Sequence, residues 1–169
     1  MDGLSGMTTN TKEVTVDIST IPKEKQLVTK ITNAEKRYKL PPYLLLALIN
    51  VESHFDSNAI NPKTQAYGLT QLIEGTAQDL RVNRYDLDQN IDGGANYLGQ
   101  QLGRFKDKGL PLMAYIGGPE KVQSWLDGKG QLGPNTQEFF TKVLLTQTYY
   151  ETSNRNQHAI IKYRQPTEL

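Results

Sequence analysis

Ten residues constrain this chain more than any others: Tyr43 is followed by Leu44-Leu45-Leu46-Ala47-Leu48-Ile49, and after Asn50 and Val51 the run closes on Glu52. A helix that is apolar nearly all round has no face to show to water and belongs inside a fold. The run is far too short to cross a bilayer, which takes about 20 residues. It therefore reads as the buried central helix of a globular domain, from about Tyr43 to His54. Pro42 suits its first turn, where a missing N–H costs nothing. The preceding Leu40-Pro41 ends whatever helix comes before, because a residue ahead of proline avoids the α region.

Helical spacing recurs on both sides of this run. Leu27, Ile31, Ala34 and Tyr38 fall at i, i+4, i+7 and i+11, and Ile91, Ala95, Leu98, Leu102 and Phe105 repeat the stripe one turn further. Asp56 to Gly68 carries Asn, Ser, Pro and Gly and reads as a loop. A short helix follows Gly75, with Thr76 as its cap. Leu110 to Ile116 is apolar and stops at Gly117-Gly118-Pro119, which break any regular element. Pro119 opens another short helix through Trp125 and Leu126, and a last helix starts near Thr136 with Phe139, Phe140, Val143, Leu144 and Tyr150 on its apolar side. Near the N-terminus, Val14-Thr15-Val16-Asp17-Ile18 alternates like a single strand. The expectation is a mainly α, multi-helix domain over residues 22–150, between an extended leader, 1–21, and a polar tail, 151–169.

Composition narrows the function classes. At 169 residues, 37% hydrophobic and 22% charged, the chain is one ordinary folded domain. A formal net charge of +1 gives no global field toward nucleic acid. Cysteine is absent, which removes disulfides and thiolate chemistry. The two histidines, His54 and His158, are far apart and form no metal-binding pair, so neither a metal nor a cofactor is expected. The start, Met1-Asp2-Gly3-Leu4-Ser5-Gly6, lacks the basic and apolar regions of a secretory signal.

Glu52 lies at i+7 from Leu45 and i+4 from Leu48, so it shares a helix face with apolar side chains. Burial and the negative end of the helix both disfavour its charged form and push its pKa up, as a general acid near neutral pH requires. On pattern alone a second reading stays open, in which Glu52 turns outward at the helix end or pairs with a cation. No convincing second carboxylate accompanies it. Asp56 sits in a loop, while Asp86, Asp88 and Asp92 read as turn and helix-start residues.

Around Glu52 an ordered set of short motifs resembles the soluble lytic transglycosylases, relatives of goose-type lysozyme. Pro41-Pro42-Tyr43-Leu44-Leu45 through Glu52-Ser53 and Phe55 is similar to the family's first motif, whose glutamate is the catalytic acid and base. Gly68-Leu69-Thr70-Gln71-Leu72 with Gly75-Thr76-Ala77 resembles its Gly-Leu-Met-Gln segment. Asn90-Ile91 with Gly94 and Tyr97-Leu98 resembles the next helix, and Ala114-Tyr115 with Gly118-Pro119 and Val122 resembles the Ala-Tyr-Asn-Ala-Gly-Pro motif. The resemblance covers roughly residues 23–150. Four features depart from it: Asn61 stands nine residues after Glu52, where the family has Ser, and the step from Glu52 to Gln71 is one residue longer. Ile116 replaces an asparagine, removing a hydrogen bond to sugar; Thr70 replaces the methionine.

The resemblance implies a lysozyme-like domain with a substrate cleft, acting on peptidoglycan strands at the bacterial cell wall or periplasm. It implies that Glu52 protonates the MurNAc-GlcNAc glycosidic oxygen and then takes the proton of the sugar's own 6-hydroxyl, leaving a 1,6-anhydromuramoyl end. Ser53, Asn61, Gly68, Leu69, Gln71 and Tyr115 become the expected substrate-binding residues. Each has a plainer reading: Tyr115 as a core tyrosine, Gln71 as an idle loop residue, Ser53 bonded to nearby backbone. His54 is left outside catalysis, and Trp125, Phe139 and Phe140 are expected in the core rather than under sugar. Two other functions share the scaffold. One is a goose-type muramidase that delivers water; the other is a glycan-binding or structural module with a decayed site. With no signal peptide and no integral membrane segment, the expected setting is a phage virion or an envelope-spanning machine.

Overall fold

The structure, a computed structural model, describes residues 23–157. These form α1 (Lys23–Arg37), α2 (Leu44–Ser53), α3 (Glu74–Leu80), α4 (Leu87–Arg104), α5 (Leu110–Gly117), α6 (Pro119–Leu126) and α7 (Pro134–Gln157). The fold is mainly α, as the helical spacing predicts. The expected strand at Val14–Ile18, the leader and the tail beyond Gln157 lie outside the described residues, and α7 continues past Tyr150 to Gln157. None of the described helices is long and apolar enough to cross a membrane.

The apolar run is the axis of the molecule. Leu45, Leu46, Ala47, Leu48 and Ile49 are fully buried, enclosed by Ile31 and Ala34 of α1, Ile91, Ala95 and Leu98 of α4, Leu112 of α5 and Val143 of α7. Each leucine, isoleucine or valine among them contributes about 1.5–3 kcal/mol of burial.

Both ends of α2 are anchored by polar groups from neighbours. Tyr43, its N-cap, adopts φ 63° and supplies no side-chain cap. Instead the buried Glu35 of α1 accepts from the Tyr43 and Leu46 N–H groups, both at 3.0 Å, placing a carboxylate at the positive end of the helix. Burial pushes the Glu35 pKa up, against the lowering effect of those N–H donors. Further along, Asn50 Nδ2 donates to Tyr150 Oη of α7 at 2.6 Å. Gln147 Nε2 of α7 donates to the Pro42 carbonyl.

Three local readings change. Helix α3 starts at Glu74 with Ile73 as N-cap, and no side chain caps it, so Thr76 is inside the first turn rather than at the cap. The acid at Glu74 complements the helix end in its place. Trp125 is 38% exposed instead of core, because two-turn α6 buries Val122 alone. Phe139 is buried as expected, and Phe140 packs between the two apolar clusters. Of the aspartates, Asp86 caps α4 by accepting from Gln89 N at 2.9 Å. Asp88 pairs with Lys30 at 2.6 Å, and Asp92 accepts from Tyr38 Oη at 2.6 Å and pairs with Arg37. The partners of Asp88 and Asp92 are Lys30 and Arg37 of α1 and Tyr38 just past its end, so these two aspartates fasten α1 to α4.

Candidate active site

The last turn of α2 delivers Glu52 to the base of a cleft, and the chain then reverses abruptly. His54 and Phe55 are consecutive non-glycine residues in the left-handed region, at φ 49° and 64°. Such backbone is uncommon and held only where its surroundings over-determine it. Here the Ser53 hydroxyl does part of that holding: Oγ lies 3.1 Å from the Ile49 carbonyl and 2.9 Å from that of Leu69. The second contact fastens the reversed segment back onto α2.

Residues 56–73 form one wall, folded on themselves by bridges from Tyr67 to Ile60 and to Leu72. This segment is gripped mainly by its carbonyls. Asn90 Nδ2 donates to the carbonyls of Tyr67 and Arg84 at 2.9 Å, while its Oδ1 accepts from Thr70 N and Oγ1. Arg84 Nη1 donates to the carbonyls of Gln65 and Leu72, and Gln71 Nε2 to those of Ala59 and Gly68. Tyr115 of α5 donates its hydroxyl to the Thr70 carbonyl at 2.8 Å.

Two glycines make this grip possible. Gly68 has φ +80°, and a Cβ there would lie 2.5 Å from Asn90 Nδ2. On α4, a Cβ at Gly94 would lie 2.4 Å from Thr70 Cβ, so only a glycine lets the wall approach this closely.

The cleft has a volume of about 380 Å3. Glu52 meets Asn61, Gln71, Ile73 and Thr76 from one segment and Tyr97, Tyr115 and the Ile116-Gly117-Gly118 corner from α4 and α5, with Lys121 of α6 at its edge. No second carboxylate lines it among the described residues. Burial pushes the Glu52 pKa to about 8, and no described residue offsets this with a hydrogen bond or an ion pair. Near neutral pH the carboxyl therefore carries a proton it can give away. Tyr115, 7% exposed, has its ring 5.2 Å from that of Tyr97. Its own burial, with the Glu52 charge second, raises its pKa well above the usual phenol value, so it stays neutral.

The residues singled out from sequence divide into two groups. Glu52, Asn61, Gln71 and Tyr115 come together at the cleft. Ser53, Gly68 and Leu69 do not line it: Ser53 and Leu69 are buried and bonded to each other, and Gly68 faces Asn90. They act behind the wall. The Tyr115 hydroxyl proton goes to Thr70 rather than Glu52, which leaves the phenol oxygen free only as an acceptor. Asn61 Oδ1 is taken up by the Lys63 and Thr64 N–H groups. Absent from the sequence selection were the clamps Asn90 and Arg84, and Tyr97, Ile73, Thr76 and Lys121 of the lining. Asn90, Tyr97 and Thr76 did stand in the segments that resemble the family's motifs, but without a role in the site.

Residues 29–137 match the model of the transglycosylase SLT domain. Over 116 residues the chain is 36% identical to the transglycosylase of Enterobacteria phage PRD1, covering 66% of this chain and 39% of the relative. Over 88 residues it is 36% identical to the membrane-bound lytic murein transglycosylase F of Desulfosudis oleivorans, covering 52% and 18%. The fold superposes on the lytic transglycosylase Slt of Pseudomonas aeruginosa, solved as an inactive mutant, with a TM-score of 0.64 and 25% identity over 77% of this chain and 25% of that one. It also superposes on the 70 kDa soluble lytic transglycosylase of Escherichia coli, with a TM-score of 0.65 and 20% identity over 75% and 24%. The chain thus spans less than half the length of each of these proteins.

Proposed function

The chain belongs to the transglycosylase SLT family, and from that premise we propose that it cleaves the MurNAc-GlcNAc bond of peptidoglycan without water, using Glu52 as both acid and base. The observation that carries this reading is a lone carboxyl, protonated up to about pH 8, at the base of a cleft with no second acid among its described lining residues. Glycosidases of the two-carboxylate kind need a partner within about 5–10 Å to act as nucleophile or to activate water.

With one carboxyl the reaction runs in two balanced steps. Glu52 gives its proton to the glycosidic oxygen as the C1–O bond breaks, and the N-acetylglucosamine side leaves as an alcohol. The acetamido oxygen of the muramic acid shares the positive charge at C1. The 6-hydroxyl of the same sugar then attacks C1 and its proton passes to Glu52, which is restored. The product is a 1,6-anhydromuramoyl end, and no water is consumed. Asn61, Gln71 and Tyr115 offer polar atoms along the strand, and Tyr97 gives an aromatic wall. Ser53, Gly68 and Leu69 serve by holding the wall in register.

The working place this implies is the bacterial cell wall, and the likeness to a phage transglycosylase supports a virion setting. The test is mass spectrometry of soluble products from purified peptidoglycan. Products one water lighter than ordinary muropeptides, lost in Glu52→Gln, are expected. Reducing-end products would instead assign a hydrolase, and the absence of product from the parent a binding or structural module.

A further inference from the structure

The edge of the cleft at the α5–α6 corner has a gap in its side chains. Gly117 and Gly118 both line the cleft; a Cβ on Gly118 would meet nothing within 4 Å, and one on Gly117 would meet Thr136 only at 3.7 Å. Immediately beyond the gap stands Lys121, exposed, the single basic residue among the described lining residues. Its neighbour Glu120 does not neutralise it, being paired with Arg104 at 2.6 Å, and Lys121 makes no ion pair with a described residue.

On the reading of the cleft given above, a glycan strand lying in it brings a branch with it. Muramic acid differs from its partner sugar by a lactyl group on O3 that carries a peptide, and this branch needs a way out of the cleft past the walls. A stretch of edge without side chains is such an exit, and an ammonium with no ion pair among the described residues suits what the branch carries, namely carboxylates. We propose that the Gly117-Gly118 gap is the exit for the muramoyl branch and that Lys121 selects strands by pairing with a carboxylate of that branch.

An exposed ion pair is worth about 0.2–1 kcal/mol, roughly a 1.4- to 5-fold change in affinity, and it is weakened by salt. Sacculi in three forms test the proposal: untreated, with carboxyl groups converted to neutral amides, and stripped of peptide by an amidase, whose hydrolysis of the lactyl amide exposes a new lactyl carboxylate. Binding is measured by co-sedimentation of Glu52→Gln and of the same protein carrying Lys121→Gln or Lys121→Arg, and KM and kcat are measured in the active background. Lys121→Gln is expected to weaken binding and raise KM about threefold on untreated sacculi, with kcat little changed and Lys121→Arg restoring the parent value. The gap should close on amidated sacculi and in 0.5 M salt. A gap that vanishes on stripped strands identifies a peptide carboxylate as the partner, and one that persists there shows that Lys121 also pairs with the lactyl carboxylate that loss of the peptide exposes. No gap on untreated sacculi, or an equal gap on amidated ones, overturns the proposal. Lys121-dependent binding by a protein that releases no product would overturn the catalytic reading alone.

Discussion

Tyr115 and Thr70, 45 positions apart, are joined by a hydrogen bond from the tyrosine hydroxyl to the threonine carbonyl at 2.8 Å. That bond links the α5 corner to the segment opposite it, so the width of the cleft at Glu52 depends on it. Removing the hydroxyl in Tyr115→Phe leaves a buried carbonyl without this donor, at a cost of about 1–2 kcal/mol. The expected result in urea unfolding is a stability loss of that size. In assays the same variant should lose about tenfold or more in kcat as the wall drifts from the acid. Unchanged kcat alongside the stability loss would make Tyr115 a packing residue only.

For Glu52 the sign of the pH effect is fixed by the direction of its pKa shift. Its folded value, about 8, lies above its ordinary 4.5. The stability it contributes is complete below the ordinary value and is lost as pH rises through about 8. Glu52→Gln should therefore abolish product while stabilising the fold. The gain should be small at pH 5 and grow to on the order of 1–3 kcal/mol at pH 9, once solvent in the cleft is allowed for. Denaturation at pH 5, 7 and 9 measures it, and a flat difference across that range would mean the carboxyl is not desolvated.

The activity of the parent should follow the same ionisation. Since the protonated carboxyl starts the reaction, kcat/KM should fall on the alkaline side with a midpoint near 8. Initial rates of solubilisation over pH 5 to 10 are the check. A midpoint near 5, the ordinary range of a glutamate, would show that burial does not raise the pKa of this carboxyl.

Asn90 and Gly94 should be intolerant for different reasons. Asn90→Ala removes donors from two carbonyls and the acceptor of Thr70 N, with an expected cost of about 3 kcal/mol and faster proteolysis within residues 56–73. Gly94→Ala would ordinarily stabilise a helix by about 1 kcal/mol. With Thr70 Cβ 2.4 Å from the added methyl it should cost about 1–3 kcal/mol instead. Thr70→Ala removes the contacts of that methyl with Thr70 Cγ2 and Oγ1 but not the one with Cβ, so it relieves the clash only in part and the double variant should remain less stable than the parent.

Glu35→Ala strips two N–H groups at the start of α2 of their acceptor. The expected loss is about 2–3 kcal/mol. Hydrogen exchange at Tyr43 and Leu46 reads this directly: both amides should exchange much faster, with little change near Glu52 if the far end of α2 is held independently.

Much of this architecture can be read from the chain because burial writes itself into periodicity. The stripes of α1 and α4 and the continuous run of α2 each have one dominant cause, the apolar core, and Glu52 stands out against that run. What sequence reading misses are contacts whose partner is backbone. Asn90 holds Thr70 from 20 positions away partly through a main-chain N–H, which every residue but proline possesses, so only the Thr70 hydroxyl marks the contact at position 70. Ser53, Gly68 and Leu69 share the motifs of the site yet stand behind it, since nearness in a motif does not say which way a side chain faces. Thr76 looks like a cap by residue type, but the Tyr67–Leu72 bridge brings the chain to Ile73 already turned into α3. Trp125 has helical spacing on a helix too short to cover it.

Asn90, Arg84, Gln71, Ser53 and Tyr115 all grip the wall by its carbonyl oxygens. A carbonyl is common to every residue, so this way of holding places little demand on the side chains at positions 61, 64 and 66, which face the cleft. The wall can keep its shape while its inner lining mutates, and strand preference can drift between descendants of this chain without putting folding at risk. The exceptions are Thr64, whose Oγ1 accepts from Ala66 N, and above all Asn61, whose Oδ1 caps its own turn. Variation at Asn61 is coupled to the path of the backbone, so at this departure from the family pattern novelty carries a structural penalty.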